Sequence, residues 1–157
     1  MYRAILAIAL AVLFSGCTSI KITSTAAGTA GVPLAGTTFD VYPLDFSKSS
    51  SLEFHSLRSV AVTELSKKGM RLVDASKEEP TYLVLFDYAV GLGVEAAYER
   101  RFVSFTYDPR TKSMVHRSRV ISEGSSKQAT EIFPAIIRHV YETFPAGQAP
   151  RTQTIMQ

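Results

Sequence analysis

The chain opens on an unbroken small-and-apolar run from Ala4 to Phe14. That is too short to cross a bilayer, which takes roughly twenty apolar residues. Large apolar side chains then thin out. Residues 18–36 are mainly Thr, Ser, Ala and Gly, the composition of a flexible tether, although Lys21-Ile22-Thr23 could form a short edge strand. A β-branched and aromatic stretch, Thr37 to Tyr42, ends at Pro43 and predicts the first strand of the domain.

Helical periodicity follows. Phe54, Leu57, Val60, Ala61 and Leu65 recur at mostly three- and four-residue steps and mark one apolar face. Ser50 and Glu53 have the spacing of a capping box at its start, while Lys67, Lys68 and Gly69 suit its C-terminal end. Met70–Asp74 reads as a short strand. Thr81–Val90 is apolar on nearly both sides, which predicts a central strand covered on both faces. Arg100–Tyr107 and Ser113–Ile121 flank the turn Asp108-Pro109-Arg110-Thr111-Lys112 and form a hairpin. A second amphipathic helix carries Ile132, Phe133, Ile136, Ile137, Val140, Tyr141 and Phe144. Pro134 requires that this helix either start near Phe133 or kink.

The resulting order is β-α-β-β-β-β-α. It predicts an α+β domain, a mainly antiparallel sheet with two helices on one face. The organisation read from the chain is a leader over residues 1–16, a tether over 17–36, one domain over 37–147 and a disordered tail over 148–157.

Composition adds limits. A hydrophobic share of 46% with 20% charged residues is that of a globular protein. The net charge of +3 falls to +2 without Arg3, and acids lie near most of the basic residues, so nucleic acid is not an expected partner. A single cysteine rules out an internal disulfide.

That cysteine is Cys17. It follows a short positive start, the apolar run and Ser15-Gly16. Leu13-Phe14-Ser15-Gly16-Cys17 resembles the lipobox of bacterial lipoproteins, with Phe14 where those leaders usually carry an aliphatic residue. The resemblance implies that Cys17 becomes the mature amino terminus and carries acyl chains, palmitate among them, that hold the protein on a membrane. Two or more chains give stable anchoring where one does not. Thr18, not aspartate, follows the cysteine. This resembles the signature of lipoproteins sent to the outer membrane, facing the periplasm.

The chain as a whole resembles a widespread bacterial lipoprotein family known as domain of unknown function 4136. The likeness rests on the lipobox, the Thr38–Pro43 strand, the helix ending Leu65-Ser66-Lys67-Lys68-Gly69 and the Asp108–Lys112 turn. The terminal helix closing on Phe144-Pro145 also fits. His116 departs from it, since the family often has tryptophan there. The resemblance implies a periplasm-facing α+β domain on a lipid anchor and no known activity.

No catalytic pattern emerges, and no cofactor is expected. His55, His116 and His139 lack the spacing of a metal-binding helix and read as surface or interface residues. Gly91-Leu92-Gly93 lacks the remainder of a dinucleotide fingerprint, and Ser122–Ser126 is not a nucleophile elbow. Asp87, Glu95, Glu99 and Asp108 have no evident reason to pair, and Tyr82, Tyr88, Tyr98 and Tyr107 fit either a groove or packing.

The candidate anion-binding residues are Arg100, Arg101, Arg117 and Arg119. Across the hairpin Arg101, Arg117 and Arg119 share a face, with Arg100 pointing away. Such a strip either meets an anionic partner or protects an exposed strand edge by its charge. The expectation is a non-enzymatic binding or assembly module with an envelope protein partner. The alternative is an auxiliary lipoprotein of an envelope transport system that handles a lipid or other apolar ligand.

Overall fold

In a computed structural model the described residues are 19–29, 31–92, 98–124, 129–142, 144–146 and 148–156, with 19–21, 129–131 and 148–156 described by backbone alone. The elements are β1 (Ser19–Gly28), β2 (Thr38–Pro43), α1 (Leu52–Lys67), β3 (Arg71–Leu72), β4 (Tyr82–Leu92), β5 (Tyr98–Asp108), β6 (Ser113–Gly124), α2 (Ala129–Glu142) and β7 (Gln148–Met156). The strands form one sheet in the order β3-β2-β4-β5-β6-β1-β7. β2 pairs in parallel with β3 and β4, and the remaining neighbours are antiparallel. The fold is α+β.

Local chemistry explains the element ends. The Ser51 hydroxyl accepts from the Phe54 amide at 3.1 Å, so the N-cap of α1 is Ser51 and not Ser50. At the other end the Lys68 and Gly69 amides donate to the Leu65 and Ser66 carbonyls. Gly69 takes φ +81°, the left-handed conformation that favours glycine. Pro134 lies inside α2. It has no N–H to give the carbonyl four residues back, so α2 owes its place to packing.

The core lies between the helices and one face of the sheet. Phe86 meets Phe54 of α1 at 5.2 Å and Phe102 of β5 at 5.5 Å, while Tyr88 meets Phe133 of α2 edge-on at 5.5 Å. Leu57, Ala61 and Leu65 of α1 and Ile136, Ile137 and Tyr141 of α2 close the layer. The other face of the sheet is open. In β4, Tyr82, Val84, Phe86 and Tyr88 are buried, but Leu83, Leu85 and Asp87 are only half-buried. The expectation of a strand covered on both faces therefore fails. On the open face Leu83 stands opposite Tyr107 and Leu85 opposite Phe105, so these side chains shelter one another sideways.

Two more stretches depart from the sequence reading. Residues 19–28, expected in a tether, form an interior strand between β6 and β7, and residues 148–156, expected in a tail, form the edge strand. Ile22 and Ser24 of β1 are buried on the helix side. Gly28, one of the small residues that suggested a tether, is needed for close packing. A Cβ on Gly28 would fall 2.0 Å from the Pro145 carbonyl oxygen and 2.9 Å from the His116 ring.

Candidate functional site

The hairpin β5–β6 brings the four arginines together in sequence register and divides them between two faces. Val103 stands opposite Arg119, Phe105 opposite Arg117 and Arg101 opposite Ile121. Arg101, Arg117 and Arg119 are thus exposed on the open face. Both strands are interior, with β4 and β1 on their outer sides. The reading of a protected strand edge is thereby overturned: the strip lies on a surface, not at an edge.

The three charges are not equivalent. Arg101 is ion-paired with Glu99 of its own strand. The Arg117 guanidinium lies 5.6 Å from the Phe105 ring centroid, a cation–π arrangement that holds it flat on the sheet. Arg119 forms no ion pair among the described residues. Arg117 and Arg119, two residues apart on β6, are therefore the free positive part of the face.

Arg100 points the other way. It is 0% exposed on the helix side, opposite the equally buried Ser122, and neither side chain has a hydrogen-bond partner among the described residues. Desolvation lowers the guanidinium's pKa from its ordinary value.

A second polar cluster lies at the β2 edge. Arg58 of α1 donates from Nη2 to Asp40 Oδ1 at 2.9 Å and from Nε to the Val41 carbonyl at 3.1 Å. The other Asp40 oxygen accepts from the Tyr42 hydroxyl at 2.8 Å and from the Ala75 amide at 3.0 Å. The hydrogen bond to Asp40 is the main cause of the raised Tyr42 pKa, followed by burial. Asp40, Tyr42, His55, Arg58 and Asp74 line a cleft of about 520 Å³. Its central carboxylate is already saturated with protein donors, so the cluster pins the loop after β3 onto β2. Sequence reasoning missed it because Asp40 and Arg58 have no motif spacing.

The histidines separate. His116 is 1% exposed, against the expectation of a surface or interface residue. It continues the inward alternation of Ser118, Val120 and Ser122 along β6, and its ring meets Phe144 edge-on at 5.0 Å. Burial pushes its pKa down to about 4. His139 Nε2 lies 3.1 Å from the Ser24 hydroxyl, and no described hydrogen bond gives this pair a carboxylate. Among the described residues no group of three His, Cys, Asp or Glu side chains could hold a metal.

The other candidate carboxylates stay apart. Asp87 bonds Lys48 at 2.5 Å, Glu99 pairs with Arg101, and Asp108 accepts from the Arg110 and Thr111 amides in its turn. Tyr82 and Tyr88 are core residues. Cys17, the leader and Glu95 lie outside the described residues. No helix among the described residues is long and apolar enough to cross a membrane.

No protein-family model and no curated protein matches the chain. Solved structures share its fold. PelC from Paraburkholderia phytofirmans, crystallised as a dodecamer, superposes with a TM-score of 0.56 at 15% identity, over 81% of this chain and 99% of that one. A PDZ domain protein from Parabacteroides distasonis superposes with a TM-score of 0.62 at 13% identity over 95% of this chain, which spans 42% of that protein. At these identities the likeness is one of fold alone.

Proposed function

We propose that the chain is a lipid-anchored lipoprotein on the periplasmic face of the outer membrane, a non-enzymatic module that binds an acidic envelope protein on the open face of its sheet. The observation that carries the reading is the leader ending at Cys17, two residues ahead of a folded domain that begins at Ser19. The likeness to domain of unknown function 4136 belongs to the same proposal.

The open face supplies the binding surface. Arg117 and Arg119 are exposed beside the half-buried Val103, Phe105 and Ile121, a mixture of charge and apolar area that suits a protein partner. The transport alternative has less support, because Phe54, Phe86, Phe102 and Phe133 fill the layer between helices and sheet where an apolar ligand would sit.

Two measurements test the proposal. Cys17→Ser abolishes palmitate incorporation and releases the protein from membranes; unchanged labelling removes the anchor. A photo-crosslinking residue at Ile121 gives a discrete adduct in cells, and the double substitution Arg117→Ser and Arg119→Ser weakens it. An adduct of equal yield in the double variant removes the acidic-partner reading.

A further inference from the structure

Most of the exposed large apolar side chains among the described residues are gathered at one end. Seven large hydrophobic residues are exposed among the described ones: Leu44, Phe46, Leu52, Leu72, Val90, Leu92 and Met114. Strand register shows where they lie. β1 starts at Ser19, Lys21 pairs with Glu123 near the end of β6, Gly124 pairs with Tyr98 at the start of β5, and Tyr98 pairs with Leu92 at the end of β4. The end of β2 runs alongside β4 at Pro43 and Phe86, and Lys48 reaches the Tyr88 carbonyl at 2.8 Å. Leu44, Phe46, Leu52, Val90 and Leu92 therefore share the end of the fold at which β1 begins. Leu72 and Met114 lie at the opposite end, with the starts of β2 and β6.

Three of the five are wide open: Phe46 is 69% exposed, Leu52 88% and Leu92 78%. Leu52 is the first residue of α1 and Phe46 begins the short 3-10 turn before it, so neither is there to fill the core. An apolar group of this kind at one end of a domain marks a surface that something covers.

The position of Cys17 identifies what covers it. Cys17 is two residues from Ser19, and a chain spans at most about 3.3–3.6 Å per residue. The lipidated residue is thus held within about 7 Å of the start of β1. With residues 19–28 built into the sheet there is no length of chain left to hold the domain away from the bilayer.

We propose that the end bearing Phe46, Leu52 and Leu92 is seated on the bilayer that takes the acyl chains of Cys17. The strands then rise from the membrane, and the arginine-bearing face looks sideways, free for a partner. This deepens the anchored-lipoprotein reading and rests on it.

The natural chain has one cysteine, whose sulfur the anchor occupies, so single introduced cysteines can be labelled uniquely. Full-length lipidated Phe46→Cys, Leu52→Cys, Leu92→Cys and Met114→Cys, each carrying an environment-sensitive fluorophore, are reconstituted into vesicles of phosphatidylethanolamine and phosphatidylglycerol with brominated acyl chains. Emission is quenched at positions 46, 52 and 92 and not at 114. If the vesicles carry the protein on flotation but quench none of the first three, the seating is overturned while the anchor stands. Shielding of those positions from aqueous iodide without lipid quenching overturns it in favour of a protein partner or a second copy. Failure to float overturns anchor and seating together.

Discussion

Arg100 of β5 stands directly opposite Ser122 of β6 on the helix-covered side of the sheet, and both are 0% exposed with no hydrogen-bond partner among the described residues. A buried guanidinium without a counter-charge gains nothing from water and nothing from protein. Arg100→Met keeps much of the length and removes the charge. It raises the urea midpoint, with a gain in unfolding free energy of about 1–3 kcal/mol. A lowered midpoint would show that the guanidinium is satisfied in solution and restore it as an anion-holding residue.

The ion pair of Arg58 and Asp40 has the opposite sign. The Asp40 side chain is 5% exposed and Arg58 31%, so truncating the arginine strands a buried carboxylate beside the Tyr42 hydroxyl and the Ala75 amide. Arg58→Met costs about 1–3 kcal/mol in urea unfolding, less than for a fully buried pair because Arg58 is partly solvated. An unchanged midpoint would show that the remaining donors hold Asp40 unaided.

His116 gives the fold a pH dependence. Its folded pKa of about 4 lies below the ordinary 6.5, because burial disfavours the imidazolium. As pH falls through 6.5 the unfolded chain takes up a proton that the folded chain refuses until about 4. Stability is therefore full above 6.5 and is lost between 6.5 and 4, about 3 kcal/mol in all. Urea unfolding from pH 7.5 to 4 measures the slope, and His116→Phe removes this part of it. A slope identical in the variant would assign the effect to other groups.

Features under local chemical control are legible in the order of the residues. Periodicity placed α1 and α2, β-branched and apolar runs placed β2 and β4, turn chemistry placed the β5–β6 hairpin, and its register put Arg101, Arg117 and Arg119 on one face with Arg100 on the other. Gly69 ended α1 as its left-handed conformation requires. Such features depend on neighbours a few residues apart.

The remaining features arise from the folded arrangement, because the neighbours that settle them are distant along the chain. Residues 19–28 and 148–156 become strands by pairing with β6 and with each other, although their composition suggested a tether and a tail. Long-range pairing supplies hydrogen bonds that no local pattern announces. Leu83 and Leu85 looked like core and lie half-buried on an open face, since sideways packing against β5 satisfies them. The same placement of β1 brings the beginning of the fold within two residues of Cys17, at the end of the sheet that also carries Phe46, Leu52 and Leu92. Their grouping is a property of strand register and not of any motif.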